Sequence, residues 1–381
     1  MIREPDWNPE VLKGQAAAYD DMRGKCPVAY SDGLGWSIFG HQQVSQILHD
    51  PETFSSEVSS RLAVPNGMDP PRHTPYRRLV ESYFSDTAMQ AFEPICRRIA
   101  EELVNRLVNG AQVDFMADFA PVFALNVQCA FVGWPCEFRE PLRRWIRKSQ
   151  QASLSGDKMA AASVGLEFEA MVAAILGARR AVGAQDLKDP IDRLMAETID
   201  GQSLATEEIA SILRNWTAGE LASISAAVGI LVEFLARDVT LQQQLRQRPV
   251  GLPSAIEEIL RIHAPLTSNR RKVSRDTILG GRHLARGDRV TLMWPAANRD
   301  EAVFERSGEC LLTRDQSANL LWGAGIHICP GVPLARLELR IIMECLLAGT
   351  RQWRLPVSHP ATPAVYPTAG FVHLPIWVET A

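Results

Sequence analysis

The sequence predicts a mainly α-helical protein with a small β region, folded as a single domain over residues 1–381. Three observations carry that prediction. A stretch from about Thr206 to Ala236 is apolar on nearly every face, the mark of a helix passing through the middle of a molecule. Apolar residues recur at spacings of three and four along much of the chain. Strand-like alternation is confined to the two ends, and no repeat or linker-like stretch divides the sequence.

In chain order, PVAYSDGLGWSIFG (27–40) alternates apolar and polar residues around a Gly-rich turn and reads as a hairpin. HQQVSQILHD (41–50) reads as a short helix stopped by Pro51. Asp86 or Thr87 opens a helix through 88–109, with Met89, Phe92, Ile95, Ile99, Leu103 and Leu107 on one stripe. Pro94 is expected to kink or restart it. A further helix covers 116–132, and 137–185 holds more helix rich in Ala and Arg. The composition turns polar and acidic over 186–203. Thr206-Glu-Glu then starts the long apolar helix, some 30 residues and roughly 45 Å in length. Another helix spans 252–263. Strand-like TILGGRHLARGDRVTLMW (277–294) follows, and LPIWVE lies near the C-terminus.

Composition excludes several function classes. Of 381 residues 46% are apolar, enough for a large core and too many for a disordered chain. Lys and Arg number 40 against 44 Asp and Glu, so a net charge of -4 leaves no basic footprint for nucleic acid. The polar opening MIREPDWNPEV holds no export signal, and no run reaches the roughly 18 uninterrupted apolar residues of a membrane anchor. The seven cysteines are odd in number and include no CxxC, which removes zinc-ribbon and dithiol readings. Reduced thiols in a cytoplasmic protein are the expectation.

The sharpest local signal is Trp322-Gly-Ala-Gly-Ile-His-Ile-Cys329-Pro-Gly331, followed by the amphipathic VPLARLELRIIMECLL. Glycines on both sides of the cysteine and a helix starting just after it describe a tight loop presenting a sulfur. Backbone N–H groups at such a loop stabilise a thiolate, which is a nucleophile or a metal ligand. An isolated cysteine in a Gly-rich turn is otherwise a small buried hydrophobe.

This loop is not isolated. Trp322-x-x-Gly325-x-His327-x-Cys329-x-Gly331 resembles the haem-binding loop of the cytochrome P450 superfamily, whose usual form starts with Phe. Glu258-Ile-Leu-Arg261 resembles the family's Glu-x-x-Arg pair, and Ala297-Asn-Arg299-Asp300 the stretch before the loop. Asp69-Pro-Pro-Arg-His73-Thr-Pro-Tyr-Arg77-Arg78 resembles the opening of its third major helix. DPETFSS (50–56) and LARLELR (334–340) also match, so the resemblance spans roughly 27–380. It implies the P450 fold around a buried b-type haem, iron protoporphyrin IX, whose iron is bound by the Cys329 thiolate. It further implies that His73, Arg77, Arg271 and His327 hold the haem propionates, with neighbouring Arg270 as the competing choice for Arg271. Glu258 and Arg261, joined by Arg299, are expected to brace the cysteine loop rather than take part in catalysis.

The sequence departs from that family in the central helix. Relatives that activate dioxygen usually carry Ala-Gly-x-acid-Thr there, to organise proton delivery. Here Ala218-Gly219-Glu220-Leu221-Ala222-Ser223 puts leucine and alanine at the acid and alcohol positions. Either Glu220 and Ser223 replace the pair across a local bulge, or water and substrate deliver the proton. A one-residue step turns a helix by about 100°, so the first reading requires the helix to be locally distorted. Only 14 residues separate Phe54 from Asp69, which implies a short or absent lid helix and a wide mouth. The indole N–H of Trp322 is a candidate donor to the thiolate.

The family layout implies cavity residues Val58, Leu62, Val64, Trp216, Ala218, Gly219, Ala222, Leu266, Thr267, Asn269 and Phe371. That mainly apolar set suits an apolar or aromatic small molecule. The leading expectation is a cytoplasmic, monomeric monooxygenase that uses O2. Its electrons would come from a separate ferredoxin or flavodoxin with its reductase, steered to a basic patch drawn from Arg72, Arg78, Arg97, Arg98, Arg336 and Arg340. Peroxide-driven oxidation, coupling or rearrangement at the same centre is the alternative enzyme reading. A non-enzymatic haem protein that binds a ligand is the other class.

Overall fold

The computed structural model describes residues 16–155, 157–182, 189–357 and 359–381; the polar opening 1–11 lies outside them. The helices are α1 (Ala16–Lys25), α2 (His41–His49), α3 (His73–Glu81), α4 (Asp86–Val104), α5 (Phe115–Asp118), α6 (Ala120–Val132), α7 (Arg139–Ser155) and α8 (Lys158–Val182). They continue with α9 (Pro190–Ala196), α10 (Thr206–Gly219), α11 (Ser225–Arg237), α12 (Val239–Gln247), α13 (Leu252–His263), α14 (Trp294–Ala297) and α15 (Val332–Gly349). The expected mainly helical architecture with a small β region is what forms.

Local chemistry explains the elements that frame the site. The Ser85 hydroxyl accepts from the Ala88 N–H and opens α4. Pro94 sits inside α4 without ending it, so the expected restart does not occur. Gln90 and Pro94 both face solvent, so the carbonyl that proline leaves unbonded meets water. The helix expected over 116–132 is broken at Phe119, whose backbone (φ −123°, ψ −70°) separates α5 from α6. Asp114 caps α5 through Met116 and Ala117.

α10 and α11 form one long apolar column, as expected, joined by a π-helical turn over Glu220–Ile224. Nearly all of α11 is buried, and α6, α8, α13 and α15 pack around the column, with α4 packed on α6 and α15. Phe115–Val132, Lys158–Ala181 and Thr206–Arg237 are each long and apolar enough to cross a membrane, but the first and third are mostly buried within the fold.

A five-stranded sheet runs in the order 28–31, 35–38, 289–293, 268–273, 54–55. Strands 35–38 and 289–293 pair in parallel, with Thr291 opposite Ser37, and the other pairings are antiparallel. This sheet encloses a second, smaller core with Trp36, Ile38, Val290 and Leu292. A three-stranded sheet orders 350–354, 375–380 and 111–114. No helix forms between Phe54 and Asp69, so the short lid expectation is met by an irregular strap.

Candidate functional site

The cysteine loop is shaped by backbone that only glycine adopts easily. Gly323 and Gly325 have φ of 73° and 67°. A Cβ on Gly325 would lie 2.1 Å from the Leu48 carbonyl oxygen, so α2 presses directly on the loop. The Cys329 N–H donates to the Trp322 carbonyl at 2.8 Å and closes the turn, and α15 starts three residues later. The Gly331 N–H donates to the cysteine sulfur. Burial pushes the Cys329 thiol up, against that bond and the Arg77 charge, which both favour the thiolate.

Beside the loop, His327 and His73 meet edge to face with ring centroids 4.5 Å apart. Each has a buried Nε2 with no hydrogen-bond partner among the described residues. Burial and the Arg271 charge push His327 down to about 3, and burial and Arg77 lower His73. Arg77 is buried, with its Nε on Glu81 at 2.7 Å. Arg271 is buried and, among the described residues, its side chain reaches the carbonyl of Arg270, at 2.8 Å; Arg270 itself is exposed. Unpartnered histidine nitrogens among buried cations constitute a demand for anionic oxygen atoms. A dianionic haem fits that donor set, with a sulfur ligand at its centre and cations at its rim.

The loop is held by a buried ion network. Glu258 is fully buried and accepts five hydrogen bonds, from Arg261 Nε and Nη2, Arg314 Nε, Gln316 Nε2 and the Leu311 N–H, at 2.8–3.1 Å. These donors hold the Glu258 carboxyl down to about 2 despite its burial. Arg261 continues to the carbonyls of Asn298 (2.5 Å) and Ser307 (2.9 Å), and the Asn298 side chain accepts from the Leu320 N–H at 2.8 Å. The chain thus runs from α13 to the loop's entry. Arg299 is not the third member expected: it pairs with Asp20 of α1 at 2.7 Å, and Arg314 takes the place beside Glu258.

Two further expectations are corrected. The Trp322 indole N–H donates to Glu257, at 2.9 Å, rather than to the sulfur. Glu257 also binds Arg336 at 2.7 Å. Of the expected basic patch, Arg97 and Arg340 are tied to Glu93 and Glu344, and Arg336 to Glu257. Arg72, Arg78 and Arg98 stay exposed, with no ion pair among the described residues.

The central helix is distorted at the position where a bulge was considered. Glu220 and Ser223 both lie on the π turn. The Glu220 carboxyl packs against that of Glu338 in α15, and no hydrogen bond joins it to Ser223. Glu338 lies within a matched motif, but its pairing across two distant segments has no signal in the sequence. Ala218, Ala222 and Ser223 are half-buried and Gly219 is exposed, whereas neighbouring Thr217, Leu221 and Ile224 are buried.

The cavity candidates spread more widely. Trp216 packs on Tyr83 and Phe84, at ring separations of 5.2 and 5.4 Å, and Phe84 lies beside Gly331. That makes Trp216 a wall next to the cysteine loop. Val64 is fully buried; its N–H donates to Ser211 Oγ and its carbonyl accepts from Asn215. Thr267 is buried with its hydroxyl on the Pro367 carbonyl, and Asn269 accepts from the Trp294 indole. Leu62 and Phe371 are half-buried, whereas Val58 and Leu266 are exposed. The strap is less open than expected. Ser211 and Arg214 of α10 both donate to the Leu62 carbonyl. The Arg61 guanidinium covers Gly165 of α8 and donates to the Ala162 carbonyl at 3.2 Å.

Fold and site together define a cysteine-ligated haem enzyme class. A family model described as Cytochrome P450 matches residues 231–351. The putative cytochrome P450 126 of Mycobacterium tuberculosis is 31% identical over 344 residues, covering 83% of this chain and 81% of that protein. Cyclomarin C epoxidase CymV of Salinispora arenicola is 28% identical over 348 residues, covering 87% and 88%. Among solved structures, CYP109E1 from Bacillus megaterium in complex with testosterone superposes with a TM-score of 0.87 at 25% identity, covering 97% of this chain and 99% of that one. The chain belongs to the cytochrome P450 family and is a P450 monooxygenase with a haem-iron cofactor.

Proposed function

We propose that the chain inserts one oxygen atom from O2 into an apolar or aromatic small molecule in the cytoplasm, acting as a monomer. Its electrons come from a separate ferredoxin or flavodoxin with its reductase. The observation that carries this reading is the Cys329 loop set beside the unpartnered Nε2 atoms of His73 and His327 and the buried Arg77 and Arg271. Cys329 would ligate a b-type haem, and the two histidines and two arginines would hold its propionates. Bound there, the haem supplies oxygen activation, to which a thiolate ligand contributes by favouring O–O cleavage.

The protein's own groups shape the rest. Trp216, Leu62, Val64 and Phe371 support an apolar wall, and relatives that bind large apolar molecules, as the testosterone complex does, favour a substrate of that kind. Ser223, the half-buried hydroxyl on the π turn, is the side chain we assign to hold the delivered proton, because no protein group among the described residues engages it. Arg72, Arg78 and Arg98, exposed and without an ion pair among the described residues, offer cations to an anionic redox partner. Peroxide-driven oxidation is the second reading, favoured by Leu221 and Ala222 at the acid and alcohol positions and by the engagement of Glu220 with Glu338.

The test supplies NADH, a surrogate ferredoxin and its reductase in one arm and hydrogen peroxide in the other, across a library of apolar compounds, with product mass as the readout. A product heavier by one oxygen, labelled when the O2 is isotopically heavy, is expected in the NADH arm. Product in the peroxide arm alone overturns the proposal in favour of the second reading.

A further inference from the structure

Two guanidiniums meet where the strap between Phe54 and Asp69 crosses α8 and α10, and they share one acid. Arg214 of α10 pairs with Glu169 of α8 at 3.4 Å, and Arg61 of the strap pairs with the same carboxylate at 3.9 Å. Both distances are long for a charge-assisted bond. The Arg214 side chain is only 13% exposed, whereas that of Glu169 is 39% exposed. Arg214 otherwise donates to the Leu62 carbonyl and, at 3.5 Å, to the Ser211 hydroxyl. Burial, and then the Arg61 charge, lower its pKa against the pull of Glu169. Arginines that serve the framework are matched better. Arg179 has Asp189 and Asp192 at 2.5 and 2.6 Å, and Arg97 has Glu93 and Glu344 at 3.2 and 2.8 Å. Arg214 and Arg61, two cations to one loosely held acid, instead resemble Arg77 and Arg271, which the reading above sets around the carboxylates of a bound group. Arg214 also lies one turn before Ala218, so the two share a face of the central column. Both are half-buried, while Leu213 and Thr217 beside them are buried. The helical rise puts Arg214 about 12 Å from Ala222. An apolar body lying along Ala218 and Ala222, against Leu62, would bring its far end to the guanidinium.

We propose that Arg214, with Arg61 beside it, binds a carboxylate of the substrate, so that this enzyme acts on apolar molecules that carry one carboxyl group remote from the carbon to be oxidised. The proposal rests on the monooxygenase reading above and narrows its substrate class. The incoming carboxylate takes the guanidinium edge that Glu169 holds at 3.4 Å, and Glu169, already half in water, turns to solvent. A planar guanidinium suits a carboxylate because two parallel N–H donors meet its two oxygens. The site is partly closed from water, so the pair formed there is screened less than one on the open surface.

The experiment measures binding of octanoate, dodecanoate, adamantane carboxylate and abietate to the holoenzyme, each against its methyl ester, by the haem optical shift and by calorimetry. Wild type should bind at least one acid about tenfold to a hundredfold more tightly than its ester, the range for a hydrogen bond to a charged group. Arg214→Met should abolish that preference, and Arg214→Lys should keep part of it. Glu169→Gln removes the competing acid and should tighten binding of the acid while leaving the ester unchanged. A cluster that only ties the strap to α8 predicts no such gain, because the variant merely loses an ion pair. Glu169 is half-exposed, so this variant decides the matter even where Arg214→Met fails to fold. Equal affinity for acid and ester across the panel, a preference that survives in Arg214→Met, or acid binding no tighter in Glu169→Gln overturns the proposal. Any of these beside NADH-supported oxygen insertion into neutral compounds leaves the monooxygenase reading standing. Loss of the thiolate CO spectrum from wild type overturns that reading instead, and calorimetry still reports the anion site.

Discussion

Replacing Glu258 by Gln removes the charge that five donors converge on while keeping the volume. Arg261, fully buried, then has no counter-ion, and Arg314 loses its carboxylate as well. Breaking a buried ion pair by removing one partner costs about 3–5 kcal/mol. The depressed Glu258 carboxyl, about 2 against an ordinary 4.5, accounts for about 3 kcal/mol of that. Because the folded-state value is depressed, this stabilisation is present in full above 4.5 and is lost as pH falls toward 2. The assay is urea unfolding of the holoenzyme, wild type against Glu258→Gln, at pH values on either side of 4.5. The variant should unfold at clearly lower urea at neutral pH, and the gap should narrow on acidification. Arg314→Ala should cost more than Arg299→Ala, whose side chain serves the partly exposed Asp20 instead. Equal midpoints, a gap that widens in acid, or Arg299→Ala as the costlier arginine change would refute the reasoning.

Arg77→Leu or His327→Leu should weaken haem retention by about tenfold to a hundredfold, as expected for one hydrogen bond to a charged group of about 1.5–3 kcal/mol; equal haem transfer to apomyoglobin from wild type and variants would count against it. Trp322→Phe should leave the reduction potential unchanged, because the indole serves Glu257, and should release Arg336 from its stacked position 5.9 Å from the ring. A clear fall in potential would place the N–H on the sulfur after all. Gly165→Ala puts a Cβ 1.2 Å from Arg61 Nη1 and must swing that guanidinium off α8. Imidazole should then enter faster in stopped-flow binding, and an unchanged rate would show that the strap does not control access.

What was legible in the sequence was local. The apolar column from Thr206, the α13 helix over 252–263 and the cysteine loop each depend on residues close in the chain, and each stands where spacing put it. Pro94 does not restart its helix because the carbonyl it frees, that of Gln90, is on the solvent side. The break at Phe119 interrupts an apolar run whose periodicity continues unaltered across it. Partner choice was the illegible part. Nothing local distinguishes Arg299 from Arg314 as the third member of the Glu258 network, since both come from irregular segments placed by the whole fold. Trp322 with Glu257, and Glu220 with Glu338, likewise join residues far apart in the chain. The bulge at Glu220–Ile224 was inferred only as a condition for a relay; the sequence carried no hint that its acid would face α15.

The central claim is that Cys329 is the thiolate ligand of a haem iron, and the CO-difference spectrum of reduced wild type beside Cys329→Ser tests it most directly. Wild type should show the red-shifted Soret band of thiolate haem, and the serine variant, with a far weaker donor at the same place, should lose it. The same band in both proteins would mean that another cysteine holds the iron and would contradict the account.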